Sequence, residues 1–314
     1  MAAAVSLSMR GMGRTGDNPS VGCIIVRDGL VVGRGWTQPG GRPHAEAMAL
    51  AQAGDAVRAA TVYVTLEPCA HQSERGPACA DILSTAAPAR VVIALPDPDP
   101  RTSGQGIARL KAAGIAVETG LCATDAARMM AGYLTRRSLG RPQITLKLAT
   151  SLDGRIALLS GESQWITGPA ARAHSHLERA LHDAILVGAG TVRTDQPKLD
   201  VRLAGLEARS PVRIMLGRGA APMGWTAIKS VPDISALPYN RVMVEGGAVT
   251  ASAFLAADLV DRLLLYRAPV LLGAGKSAVD KWDIGALASA HGRWQLLDRR
   301  QLGPDALEIY QRAR

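Results

Sequence analysis

Apolar positions in the first 140 residues fall into short runs whose period switches repeatedly between helical and alternating. Residues 3–13 predict a first helix. VGCIIV and VVGRGW flank Asp28-Gly29, a two-residue turn signal, and predict a β-hairpin. The Ala-rich stretch that follows Pro43 and stops at Gly54 predicts a helix over 44–53. TVYVTL then reads as a strand, ACADILSTA as a short helix, RVVIAL as a strand, GIARLKAAG as a helix and IAVETG as a strand. Alternation of this kind implies a layered α/β domain.

Residues 124–138 predict one helix leading out of that set, and SLGRPQ supplies the Gly and Pro of a hinge near 139–143. A second α/β set follows: ITLKLA, GRIAL, a helix over 169–181, AILVG, VRIML, RVMVEGG, a helix over 248–257, VDRLLLYRAPVL, and two late strands, RWQLLDRR and ALEIYQR. The chain therefore divides into two domains, 1–142 and 143–314. Between VRIML and VMVEGG the sequence is short and irregular.

Composition narrows the class. With 47% hydrophobic and 20% charged residues, both domains can build a core. No stretch of ~18 apolar residues predicts a membrane span, and the Arg-punctuated N-terminus does not read as a signal peptide. Four scattered cysteines do not make a disulfide framework, so a reduced, cytoplasmic protein is expected, with Cys23 a small buried hydrophobe. The net charge of +9 permits anionic partners, but the arginines are dispersed and aromatics are only 4%, which argues against a base-stacking nucleic-acid surface.

The candidate chemistry starts at the helix after Pro43. His44 and Glu46 stand in its first turn, where side chains lean toward the N-terminus and both can face one point off the helix end. Past TVYVTL, Cys69 follows Pro68, and Cys79 opens the next helix. One His and two Cys hold zinc as three protein ligands and leave a fourth position open, the arrangement of a catalytic site. A helix N-terminus also favours thiolate.

PHAE together with TLEPC resembles the zinc-dependent cytidine-deaminase superfamily. That resemblance implies that His44, Cys69 and Cys79 bind zinc and that Glu46, which is not a ligand, shuttles the catalytic proton. NPSVG, PHAE and TLEPCAH together resemble the deaminase half of the bifunctional riboflavin-biosynthesis deaminase/reductase family, whose pattern puts Asn18 and His71 at the substrate. One departure from that pattern is visible: nine residues separate the two cysteines where the family usually has eight, and the extra one falls in the polar loop HQSERGPA. It puts the mapping of loop residues such as Arg75 in doubt, but not that of the cysteines.

In the second half, AILVGAGTVR does not complete a G-x-G-x-x-G fingerprint, because Arg193 takes the last slot, so a Rossmann site is disfavoured. VMVEGGA instead ends a strand in Glu245, Gly246 and Gly247 before a helix, a turn that admits a phosphate at the helix N-terminus. LKLATSLDGRIALLSGESQWITG, AILVGAGTVRTDQPKLDVR and VMVEGGA resemble the reductase domain of the same bifunctional family, which has a dihydrofolate-reductase-like fold. The resemblance implies a cytidine-deaminase-like three-layer α/β domain followed by a dihydrofolate-reductase-like one. Carried over residue by residue, Ala149, Trp165, Thr191, Asp195, Gly246 and Gly247 would meet NADPH, and Ser163, Arg179, Leu199, Arg202 and Glu245 the sugar-phosphate substrate. Arg179 and Arg202 suit phosphate by guanidinium geometry, and Arg218 is a further candidate for the cofactor's 2′-phosphate. Lys147 and Glu245 are the candidates for polarising or protonating the ribosylamine. Asp153 is an alternative, though S-L-D-G equally fits a tight turn.

The expected function is thus zinc-dependent deamination of a phosphorylated pyrimidine followed by NADPH-dependent reduction of its ribosyl chain, by a homo-oligomer that meets neither nucleic acid nor membrane. Two rivals remain at this point: a tRNA-type base deaminase whose second half binds nucleic acid, and a non-catalytic zinc-stabilised scaffold.

Overall fold

The hairpin around Asp28-Gly29 forms as β1 and β2 at one side of a five-stranded sheet in a computed structural model that describes residues 1–314. The chain divides into two units, Met1–Gly140 and Arg141–Arg314. The first contains α1 (Ala2–Ser8), β1 (Gly22–Arg27), β2 (Leu30–Trp36), α2 (Ala45–Ala53), β3 (Thr61–Val64), α3 (Cys79–Ala86), β4 (Arg90–Ile93), α4 (Gln105–Ala112), β5 (Ala116–Thr119), α5 (Ala123–Met129) and α6 (Ala131–Leu139). Its strands lie in the order β2-β1-β3-β4-β5. β1 is antiparallel to both neighbours, while β3, β4 and β5 run parallel. Cys23, Ile25, Val62, Val64, Val91 and Ile93 give the sheet its core, and Cys23 is fully buried there, as a small hydrophobe should be.

Close packing of α2 on β2 follows from two glycines. A Cβ on Gly35 would collide with the Ala45 carbonyl, and one on Gly33 with the Ala49 carbonyl. Their absence lets the Ala-rich face of α2 settle onto the strand, which fixes the depth at which the first turn of α2 sits.

The second unit contains β6 (Gln143–Thr150), β7 (Arg155–Ala157), α7 (Pro169–Ala180), β8 (Ala184–Gly188), α8 (Ala189–Asp195), β9 (Val212–Leu216), β10 (Thr226–Ile228), β11 (Arg241–Val244), α9 (Ala248–Ala256), β12 (Val260–Arg267), β13 (Lys276–Ser277), β14 (Trp294–Leu302) and β15 (Asp305–Arg312). Eight strands form one sheet in the order β10-β9-β8-β11-β6-β12-β15-β14. From β10 to β12 neighbours are parallel, and β15 and β14 extend the sheet antiparallel. β7 and β13 form a separate two-stranded ribbon. Strands buried on both faces carry near-continuous apolar runs, as AILVG and RVMV do. No helix is long and apolar enough to cross a membrane.

Several elements differ from the sequence reading. The first helix stops at Ser8 and passes into a 3-10 turn, Met9–Gly11, after which Gly13 takes a left-handed backbone conformation (φ 71°) that ends it. The helix expected over 124–138 is two helices, broken at Met130, whose φ and ψ of −98° and 12° leave the helical region. The stretch between VRIML and VMVEGG is not irregular throughout. It carries β10 and a 3-10 turn, Val231–Ala236, closed by a capping box between Ser230 and Asp233, with Ile228 and Ile234 buried. A three-residue strand is too short to show a period, so pattern reading passes over it.

Candidate functional site

The first site begins at α2. His44 is the N-cap, in extended conformation (φ −71°, ψ 163°), and Glu46 lies in the first turn, 3% exposed. Cys69 follows β3 on the turn Glu67-Pro68-Cys69, and Cys79 is the first residue of α3. The fold brings these segments together. His44 Nδ1 stands 3.3 Å from Cys79 Sγ and 3.5 Å from Cys69 Sγ, and the three ligand atoms lie within 4.8 Å of one another. The Cys79 N–H donates to Cys69 Sγ at 3.2 Å and the Ala80 N–H to the Cys69 carbonyl at 3.1 Å, so the start of α3 clamps the cysteine turn.

The electrostatics fit a divalent cation. A hydrogen bond from Cys79 holds the Cys69 thiol down at about 4, while the same interaction and burial push the Cys79 thiol up. Two thiols this close share one proton until a cation separates them; a dication ionises both. One imidazole and two thiolates are a zinc donor set, and the three leave a fourth position open. Burial raises the Glu46 carboxyl to about 7, against the opposing pull of His44. Glu46 is not among the clustered ligand atoms, and with His44 and Cys69 it lines a pocket that also contains Asn18 and His71.

The Cys69 turn is held by a residue to which the sequence reading assigns no role. Glu67, 2% exposed, accepts the backbone N–H groups of Asp97 (3.3 Å), Gly104 (3.1 Å) and Ile107 (3.0 Å), and so caps the N-terminus of α4. A Cβ at Gly106 would collide with the Pro68 carbonyl, so α4 presses directly on the turn. Asp97, Asp99, Arg101, Tyr133 and Arg137 also line the pocket and are absent from the sequence reading. Asp97, raised by burial, accepts the Tyr133 hydroxyl at 2.8 Å. Asp99 is held at about 2 chiefly by its hydrogen bonds from Arg101. The signal for both acids is LPDPDP, directly after β4. His71 Nδ1 lies 3.4 Å from Thr102 Oγ1, and Asn18 Nδ2 donates to the Thr15 carbonyl at 3.4 Å. Arg75 does not line this pocket; it donates to the Gly40 carbonyl at 2.6 Å and ties down the loop that carries the extra residue.

The second site lies at the C-terminal ends of the parallel strands in the other unit. Lys147 on β6 and Glu245 just past β11 meet across adjacent strands, with Nζ 3.6 Å from Oε2. Arg179 of α7 reaches the same carboxylate in a bidentate pair, 2.7 Å from Nε to Oε1 and 3.0 Å from Nη2 to Oε2, and gives its remaining arm to the Asp200 carbonyl at 3.0 Å. Burial alone would raise the Glu245 carboxyl; Lys147 and Arg179 overcome it and hold it at about 2. Ala149 follows Lys147 on the same face of β6, and Gly246 and Gly247 lead into α9. A Cβ at Gly246 would collide with Thr250, whereas Gly247, the N-cap, opens onto free space, a cradle that suits a phosphate.

The remaining candidates are more dispersed. Thr191 and Asp195 stand on α8, which follows β8 directly. Leu199 is buried, with a left-handed backbone (φ 53°), and Arg202 is exposed 3.4 Å from Asp200. Ser163 and Trp165 lie in an exposed loop, where Arg172 stacks 4.8 Å from the indole centre. Arg218 is exposed just past β9. Asp153 accepts the Ser151 hydroxyl at 2.5 Å and the N–H groups of Leu272 and Gly273, so its carboxylate is committed to a turn, the alternative reading of S-L-D-G.

Comparison with known proteins matches residues 1–95 to the cytidine and deoxycytidylate deaminase zinc-binding region, and residues 142–223 and 227–307 to the RibD C-terminal domain. The chain is 38% identical to the riboflavin biosynthesis protein RibD of Escherichia coli over 97% of its own length and 96% of the relative's. It is 39% identical to that of Mycobacterium tuberculosis, over 98% and 95%. Among solved structures, RibD of Acinetobacter baumannii superposes with a TM-score of 0.90 at 38% identity, covering 100% of this chain and 98% of that one. A Thermotoga maritima diaminohydroxyphosphoribosylaminopyrimidine deaminase/5-amino-6-(5-phosphoribosylamino)uracil reductase gives 0.90 at 30% identity, covering 100% and 97%.

Proposed function

The chain belongs to the RibD family of bifunctional riboflavin-biosynthesis enzymes, and on that premise we propose how its residues divide the work between deamination and reduction. The first unit removes the 2-amino group of 2,5-diamino-6-ribosylamino-4(3H)-pyrimidinone 5′-phosphate, and the second reduces the ribosyl chain of the product to ribityl with NADPH. The observation that carries this reading is the convergence of His44, Cys69 and Cys79 beside a buried, non-ligating Glu46, on a chain whose other unit has a separate Lys147–Glu245–Arg179 site. The tRNA-type deaminase reading is not favoured, because the family relationship extends through both halves. A scaffold role leaves Glu46 and the open ligand position without a use.

His44, Cys69 and Cys79 would hold the zinc, which when bound supplies a Lewis acid at its open position. Glu46 takes a proton from the attacking water and returns it to the departing amino group as the C–O bond forms and the C–N bond breaks. Asn18 and His71, on the pocket wall, orient the pyrimidine. In the second unit Ala149, Trp165, Thr191, Asp195 and the Gly246-Gly247 turn would hold NADPH, which supplies the hydride. Ser163, Leu199 and Arg202 bind the substrate beside Arg179 and Glu245. Glu245, held at about 2, is ionised at neutral pH and has no proton to give. Lys147 is therefore the member of the pair that delivers the proton balancing the hydride. A cytoplasmic setting accords with four unpaired cysteines and a nicotinamide cosubstrate.

The test follows both products in one reaction. Supplied with the diaminopyrimidine phosphate and NADPH, the purified chain releases one ammonia per substrate and then oxidises one NADPH. Ammonia release proceeds without NADPH, whereas NADPH oxidation waits for deamination. Oxidation of NADPH on the undeaminated substrate at the full rate would contradict the order, and release of ammonia from tRNA or cytidine alone would contradict the substrate.

A further inference from the structure

Lys147 has a second neighbour, on the strand opposite to Glu245. β12 runs parallel to β6, with Leu264 beside Lys147 and Tyr266 beside Ala149. Side chains two apart on a strand share a face, so Tyr266 leans over the same face as Lys147. The Lys147 ammonium sits 5.9 Å from the centre of the Tyr266 ring, over its face. Within ~6 Å a ring face attracts a cation, and more strongly when the pair is out of water. Tyr266 is 1% exposed, and Lys147's side chain is 20% exposed.

The ring is not free to turn away. Its hydroxyl lies 2.8 Å from His174 Nδ1 on α7, with the two ring centres 5.8 Å apart. α7 also carries Arg179, which grips the Glu245 carboxylate from its other side. One helix thus fixes both flanks of the ammonium: the carboxylate through Arg179 and the aromatic face through His174. Glu245 and Tyr266 are the ionisable groups in contact with Lys147; behind them stand Arg179 and His176, which act on the Glu245 carboxylate, and His174, which holds the Tyr266 hydroxyl.

We infer that Tyr266 is a positioning residue of the reductase reaction, its ring face holding the Lys147 ammonium in place from the side opposite Glu245. The inference rests on the reading of Lys147 as the proton donor. Its own content is that the ring's electron-rich face, not the hydroxyl or the bulk of the side chain, does the holding.

Fluorination separates these properties, because ring fluorines drain the face while barely changing its size. The full chain is prepared with Tyr266→Phe and with mono-, di- and trifluorophenylalanine at the same position. Two readouts are taken: kcat and KM for NADPH in the reductase reaction, and the rate of Lys147 acetylation by acetic anhydride in the NADPH-free chain, followed by peptide mass spectrometry. Ammonia release by each variant reports whether the chain is folded. Tyr266→Phe, which gives up the His174 contact but keeps the ring face, is the reference against which the fluorinated variants are read. Across the fluorine series kcat should then fall stepwise, roughly tenfold in all, at constant KM, while Lys147 acetylation speeds up stepwise and the other lysines keep their rates. A flat series in either readout would overturn the inference, as would a Tyr266→Phe variant already as slow as the trifluorinated one. Lys147→Ala is run alongside: if it reduces substrate at the wild-type rate, the role assigned to Lys147 fails, whereas the acetylation series still reports on the contact itself.

Discussion

Glu46→Gln is expected to lower kcat for ammonia release by about 10² to 10⁴, the range for removing a general acid–base group, and to leave reduction of the deaminated intermediate unchanged. The substitution preserves shape in a position 3% exposed, so the packing around it is retained. It removes a buried carboxyl that lines the same pocket as His44 and Cys69 and is not among the clustered ligand atoms. Zinc content should therefore match wild type, which separates a lost proton shuttle from a lost metal. Ammonia is measured by a coupled assay, metal by mass spectrometry. Undiminished ammonia release would remove Glu46 from the mechanism.

Lys147→Ala is expected to produce the converse: NADPH oxidation falls by about 10² or more, KM for NADPH changes little, and ammonia release persists. The fold tolerates the change because Glu245 keeps its bidentate partner, Arg179, and is not left as an unpaired buried charge. Lys147→Arg should not restore activity, since a planar guanidinium neither fits the ammonium's place nor gives up a proton at neutral pH. Stopped reactions with the deaminated intermediate isolate this step. A Lys147→Ala variant that loses ammonia release and reduction together while remaining folded would contradict a division into two separate sites.

The three residues of the His44–Cys69–Cys79 cluster are legible in the sequence because each is tied to a local landmark. His44 and Cys79 open helices, and Cys69 follows Pro68 at the end of a strand run. A single added residue between the cysteines leaves these landmarks in place, and the loop absorbs it. What surrounds them is less legible. Glu67 sits within the same quoted motif, yet its work as a cap on α4 depends on where a helix nearly forty residues later returns to the sheet. Asp97, Asp99 and Tyr133 reach the pocket only because β4 lies beside β3 and α6 folds back over it. Lys147 and Glu245 are each legible as candidates, but their meeting requires β11 to lie beside β6, and the grip of Arg179 on the same carboxylate brings in α7, contacts that no local pattern encodes. The same limit explains β10: three residues gain their strand identity from β9, not from a period of their own.

The first site is proposed to be a metal centre, and the most direct measurement of that is the zinc content of the purified full-length chain. About one zinc per chain is expected in wild type and in Glu46→Gln, and almost none in Cys79→Ala, with ammonia release following the metal. A wild-type chain that releases ammonia at full rate while carrying no zinc, or a Cys79→Ala variant that keeps its zinc, would contradict it.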